Sequence, residues 1–579
     1  MTEPQQALAR LAAEFATIAG QLQRASAELQ HLAGTLHTQP VPPPVYWPYP
    51  PQPVPAPAPQ APPPPARRDP PSNWIGKALA VAGVAVTLIG VVLLVVLAAQ
   101  AGLLAPPVRV AGGAVLAVAL VGAACWLRAR PDGGLGATAL AATGIATGYI
   151  DIVAVTAIYD WLPAAAGLLL SALVGGGGLV LARRWATEQL ALLVLVPLIV
   201  LAPIVAGGIT LLLVGFLLAL SAATLPVQIG RDWAGMYVAR TVIGSGPVLL
   251  ALVGVAFGSG RDPWLAGACA IAAVLALGSA LMLLPHSAHR TAVALTAALG
   301  ALPVLMVSAA TPRVPAALMA AALSAGVLAV VLAADRIPGL TTPVRHMWTA
   351  LAAVAALVAV GVGFAGPVAG PLLLAMAVLT AVAGRHSAGA QWSAAFFGSF
   401  GGLALLSTAG PVTLASATVR STPDAISVLI SAVLLGGYAV VQCWSVRQRI
   451  EGDLLRLLLG GAVLALVYAV TVFTVTAGVL IAGPDGGFLA GHMVATICWI
   501  ALAAALFGYA ARRPRVDRSL PIGAGMTLVA AAVAKLFVFD LGTLDGMFRV
   551  AVFMVVGLVL LAMGAGYARL LSQQDQNHT

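Results

Sequence analysis

KLFVFDLGTLDGMFRV, Lys535 to Val550, is a polar turn set between two long apolar runs, Leu520–Leu536 and Val550–Ala565. Each run approaches the roughly 20 apolar residues that carry a helix across a bilayer. Lys535 sits inside the first run, Asp540 and Asp545 fall in the turn, and Arg549 opens the second run. Charge at bilayer depth is costly, so an ionisable group placed there is a functional hypothesis by default. This stretch reads as a membrane hairpin with charges near its tip.

Working outward, the same pattern fills most of the chain. Apolar residues make up 60% of 579 residues and charged ones 8%, far below the roughly 25% charge of soluble domains. Apolar windows of about 18–25 residues recur from Ala78 onward. The fold class is therefore an all-α polytopic integral membrane protein, and we count 18 windows, with a range of 16 to 20. Two pairs of windows, 189–206 with 208–226 and 346–365 with 367–384, are the least sharply divided. The four cysteines, Cys125, Cys269, Cys443 and Cys498, lie in apolar windows at unrelated spacings. They imply neither a disulfide framework nor a zinc site.

Charge gives the expected orientation. If alternate connections face the cytosol, starting with the N-terminus, that side takes 22 of the 29 lysines and arginines. The positive-inside rule then sets both termini in the cytosol. Twelve acids accompany those 22 cations, so the net charge of +10 sits on one face. It reads as orientation charge facing anionic lipid, with no nucleic-acid footprint.

Four domains are expected: a heptad helix at 1–38, a proline-rich linker at 39–77, the helical membrane domain at 78–567 and a polar tail at 568–579. Leu8, Leu11, Phe15, Ile18, Leu22, Ala25, Leu29, Leu32 and Leu36 are spaced alternately by three and four. That is a coiled-coil seam, open to a second copy or a cytosolic partner through residues 8–36. The alternative is an amphipathic helix lying on the membrane or on the protein's own cytosolic face. Pro40 to Pro71 holds 17 prolines in 32 residues, a composition that favours extended polyproline II. The chain starts polar, so no cleavable signal peptide is expected.

The candidate site is a set of polar residues that orientation places in the outer half of the membrane: Asp151, Lys535, Asp540, Arg549, Arg109 and His492. Asp151 is the deepest carboxylate, in GYIDIVAVTAIYDW. Lys535 and Asp540 are five apart and diverge by about 140° on a helix, so Lys535 is expected to seek Asp151 on another helix. Arg109 and Arg549 have snorkelling as their ordinary reading. Arg240 is the exception, near the cytosolic end of its window.

The hairpin's Lys535, Asp540-Leu541, Leu544 and Arg549 resemble the end of bacterial multi-spanning proteins grouped as domain of unknown function 2339. WIGKALAVAGVAVTLIGVV (Trp74–Val92), Arg109, Gly134-Leu135-Gly136 and TEQLALLVLVPLIVLAPIV (Thr187–Val205) are similar to that family's earlier segments. The family's first span often closes on a Lys-Tyr pair, whereas LVVLAAQAGLL (Leu94–Leu104) has none, so no role for that lysine carries over. The resemblance implies a bacterial cytoplasmic membrane protein and supplies no activity.

HExxH, GxSxG and Walker A motifs and histidine clusters are absent, so no cofactor, metal or catalytic residue is expected. Transport or envelope lipid and solute handling is the leading expectation. A membrane scaffold acting through the heptad helix is second, and a membrane-embedded transferase with Asp151 or Asp160 as its carboxylate is third.

Overall fold

The computed structural model describes residue 90 and residues 105–562, apart from 131–133, 259–261, 365, 447–451, 514–517, 541–546 and 548–549. At 539 and 540 it describes the backbone alone. The heptad helix, the proline-rich linker, the 78–99 window apart from residue 90, the tail and Arg549 lie outside the described residues. So does the side chain of Asp540.

Among the described residues the regular structure is helical throughout. In chain order the long helices are α1 (Pro106–Arg128), α2 (Gly134–Val153), α3 (Ala164–Trp185), α4 (Glu188–Ala206), α5 (Leu211–Ala223) and α6 (Ala234–Phe257). Then come α7 (Trp264–Leu283), α8 (Arg290–Gly300), α9 (Arg313–Leu332), α10 (Thr342–Gly363), α11 (Ala369–Ala383) and α12 (Ala388–Thr408). The last five are α13 (Thr422–Val446), α14 (Gly452–Ala482), α15 (Phe488–Ala511), α16 (Ser519–Lys535) and α17 (Val550–Ala562).

Fourteen described stretches are long and apolar enough to cross a membrane. One of them, Gly452–Ala511, contains two helices, α14 and α15, joined by the π-helical turn Gly483–Gly487. Both weakly divided pairs of windows resolve into separate helices. Gly207 and Gly208, at φ +70° and +131°, break the chain between α4 and α5, a conformation that suits glycine. Pro367 follows the end of α10, where proline cannot continue a helix.

Packing is between near neighbours in sequence. α1 lies on α2, α9 on α10, α11 on α12 and α13, and α13 to α16 follow one another. One apolar core joins α1 to α6, a second joins α5 to α10, and a third gathers α11 to α15. Helix α6 serves two of them: Met236, Ala239 and Ile243 belong to the first core, and Tyr237, Val248 and Leu252 to the second. Backbones approach closely between α14 and α15. A Cβ on Gly491 would lie 2.7 Å from both the Thr474 carbonyl oxygen and the Val475 Cα.

Polar contacts tie several connections together at one end of the helices. Arg128 donates to the Trp185 carbonyl at 3.4 Å, Arg183 donates to the Pro226 carbonyl, and Arg231 donates to the Arg183 carbonyl at 3.4 Å. Asp232 accepts from the Ser287 hydroxyl at 2.9 Å and from the Ala288 N–H at 3.0 Å. Those two bonds hold its carboxyl below the ordinary pKa of 3.8. Arginines also lie over aromatic rings here: Arg130 over Trp126, Arg128 over Trp185 and Arg231 over Trp233. Arg385 over Trp444 and Arg513 over Tyr509 repeat the pairing at later helix ends. Aromatic rings at helix ends are the usual mark of a membrane–water boundary.

Candidate functional site

Lys535 closes α16, immediately before the π-helical turn Leu536–Asp540. Helical side chains lean back toward the helix N-terminus, which carries the lysine inward along α15. Its Nζ donates to the Thr496 hydroxyl at 2.7 Å and to the His492 carbonyl at 3.2 Å. Thr496, fully buried, donates in turn to the same carbonyl at 3.1 Å.

His492 extends the cluster sideways. Its ring is buried, stands edge-on to Phe488, and its Nε2 lies 2.9 Å from the Leu414 carbonyl oxygen. Leu414 ends the helical turn Pro411–Leu414, in the connection between α12 and α13. Two further bonds pin that connection: Tyr468 donates to the Ala409 carbonyl at 2.8 Å, and Arg420 donates to the Thr408 carbonyl at 2.9 Å. Histidine, tyrosine and arginine therefore hold main-chain oxygens at the C-terminal ends of helical segments, and the lysine reaches one in the first turns of α15. Burial favours this, because a buried carbonyl left without a donor is expensive.

Asp151 is placed elsewhere. Its carboxylate presses against Gly113 of α1, where an added Cβ would be 2.7 Å from Oδ1. Arg109 lies four residues before Gly113, hence on the same face of α1. The sequence expectation that Lys535 would pair with Asp151 is thus corrected. The ion pairs among the described residues are Arg345–Asp335 and Arg456–Asp453, both exposed. Toward the described residues, Lys535 donates to a hydroxyl and a carbonyl oxygen. Of the six site residues, Lys535 and His492 meet, Asp151 and Arg109 share another helix pair, and Asp540 and Arg549 fall outside the described side chains.

Sequence reasoning missed two features. Thr496 carried no signal except its position four residues after His492, on the same helical face. The second is an apolar cleft of about 380 Å³ between α7 and α9. Its lining includes Leu277, Gly278, Leu323, Gly326, Val327 and, from α10, Trp348. The Trp348 N–H is committed to the Ala294 carbonyl at 3.2 Å, and every lining residue is apolar. No periodicity marks such a gap, since it arises where two apolar faces fail to meet. Among the described residues, no three His, Cys, Asp or Glu side chains are grouped so as to hold a metal ion.

These features define an all-helical polytopic membrane protein with a polar cluster at helix ends and an apolar cleft between helices. Residues 368–570 match the family described as predicted membrane protein, domain of unknown function 2339, the family that the hairpin resembles. The match takes in α11 to α17 and leaves Trp74–Val92 and Thr187–Val205 outside it. No curated protein and no solved structure matches the chain.

Proposed function

We propose that this protein binds and handles an amphipathic lipid, or a solute linked to one, within the bacterial cytoplasmic membrane. The cleft between α7 and α9 carries the reading. It falls among the middle residues of two apolar helices, where its occupant would come from the bilayer core. Its wholly apolar lining suits an acyl or isoprenoid chain, and its volume lies in the range of ligand pockets. Within this proposal there are 18 spans, both termini are cytosolic, and the arginine-aromatic end faces the cytosol, as the positive-inside rule supports. The Lys535–Thr496–His492 cluster then belongs to the outer half, as a polar element at the other end of the helices.

Gly278 and Gly326 supply the test. Both line the cleft, and a Cβ at either would meet nothing within 4 Å. Leucine at these positions fills the cleft without striking backbone. The full chain in nanodiscs is irradiated with a phosphatidylglycerol that bears a diazirine in its acyl tail, and labelled peptides are mapped. The expected outcome is labelling on α7 and α9 that falls several-fold in Gly278→Leu/Gly326→Leu, with the melting temperature retained. Equal labelling of the two proteins would defeat the reading.

A further inference from the structure

Arg240 lies in the seventh position of α6, at the seam between two apolar cores, and is 1% exposed. None of its three guanidinium nitrogens has a hydrogen-bond partner, and each is itself buried. A guanidinium keeps its charge in proteins and offers five N–H donors. The described neighbour that answers it is the Tyr237 ring, whose centroid is 5.4 Å from Cζ. A ring face attracts a cation but cannot accept five hydrogen bonds.

The surrounding polar groups are already engaged. Ser221 donates to the Arg240 carbonyl at 3.1 Å, Tyr237 to the Ala276 carbonyl at 2.8 Å, Thr241 to the Tyr237 carbonyl at 2.9 Å and Ser245 to the Gly300 carbonyl at 2.9 Å. The two acids near the start of α6 are engaged as well. Glu188 accepts the Met236 N–H at 3.0 Å, and Asp232 holds Ser287 and Ala288. Neither forms an ion pair with Arg240. The chain has thus placed a permanent cation in a low-dielectric site and spent the nearby acids on other donors.

We propose that Arg240 is the seat of a small-anion site, taking a halide or a small oxyanion such as inorganic phosphate. The side chain leans toward the N-terminal end of α6, as its Tyr237 contact indicates. The anion therefore enters from the end where Arg183, Arg231 and the Asp232 clamp gather, and the closely packed side chains around the guanidinium yield to admit it. This inference does not depend on the lipid reading, because the cleft is formed by α7, α9 and Trp348.

The test uses the full chain in detergent micelles, melted in gluconate and then with chloride, bromide or phosphate added at constant ionic strength. A ligand that binds the folded state raises the melting temperature with its concentration. The wild type is expected to gain about 2–4 °C across a hundredfold range of at least one of these anions. Arg240→Met is expected to lose that dependence, and Arg240→Lys to keep a reduced one. If Arg240→Met does not fold, bromide anomalous scattering on crystals of the wild type decides the matter, with a peak beside the Arg240 guanidinium expected. A chloride or bromide response alone identifies a halide site, and a phosphate response alone an oxyanion site. No response to any of the three, equal responses in wild type and Arg240→Met, or bromide peaks confined to other positions would overturn the proposal.

Discussion

Lys535 and Arg240 are both drawn into the helix bundle, and the chain treats them in opposite ways. Lys535 closes a helix and reaches a hydroxyl and a carbonyl on the preceding one, so its charge also works as a tether. Arg240 lies inside a helix that serves two apolar cores, and no acceptor among the described residues reaches it. Position explains the difference. At the end of α16 the long lysine side chain reaches across to the Thr496 hydroxyl and to a carbonyl in the first turns of α15. The Arg240 guanidinium, in mid-helix, is enclosed by two apolar cores. Lys535 is therefore met by polar groups of a neighbouring helix, and Arg240 calls for a side-chain anion or a ligand.

The platform on which Lys535 rests gives the largest expected effect. Gly491 seats α15 against α14 with backbone on both sides, so Gly491→Val has no side chain to displace. Destabilisation of about 3 kcal/mol is expected, seen as loss of the monodisperse peak in fluorescence-detected size exclusion. Gly254 on α6 meets nothing within 4 Å, and Gly254→Ala is expected to elute as the wild type does. Equal behaviour of the two variants would mean that α14 and α15 do not pack as described.

Substituting the two cations tests the comparison itself. Lys535→Met removes two bonds to a charged donor, with an expected loss of about 1.5–3 kcal/mol. Arg240→Met, measured in gluconate, replaces a partnerless buried charge by an apolar side chain of similar length. Such exchanges are commonly neutral or stabilising by about 1–4 kcal/mol. Thermal melts of the two variants are thus expected to move in opposite directions. A large loss in Arg240→Met without added anion would mean that the chain itself satisfies the guanidinium, and the contrast would go.

His492→Phe keeps the ring packing against Phe488 and removes the bond to the Leu414 carbonyl. A smaller loss of about 1 kcal/mol is expected, together with faster amide exchange confined to Ala415–Thr418. Uniform change across α15 would instead make His492 a packing residue.

The sequence made the helices legible because the bilayer fixes their length. Even the weakly divided windows near Gly207 and Pro367 separate where glycine and proline require it. It made Lys535 and His492 legible as polar residues at depth, but not their meeting. Helical spacing decides which residues of one helix share a face, and it is silent on which helix lies alongside. Searching for a carboxylate to match Lys535 led to Asp151, because charge is visible in a sequence and a main-chain carbonyl is not. Arg240 stood out as the cation outside the outer set, yet its isolation depends on where Glu188 and Asp232 spend their oxygens. That is a property of folded loops.

Asp232 provides the smallest effect, and the one that depends on pH. Its folded pKa is depressed below 3.8 by the Ala288 N–H and the Ser287 hydroxyl. A depressed acid contributes stability that is fully present above its unfolded pKa and is lost as pH falls through the folded value. The clamp between residue 232 and Ser287–Ala288 is therefore expected to hold at neutral pH and to release below about pH 4. Asp232→Asn retains the shape and removes the charge. Its melting temperature is expected to fall slightly below that of the wild type at pH 7 and to converge with it as the medium is acidified. Curves that stay parallel down to pH 3 would show that this end of α6 is held by packing alone. The acid now assigned to Ser287 and Ala288 would then no longer explain why Arg240 lacks a carboxylate.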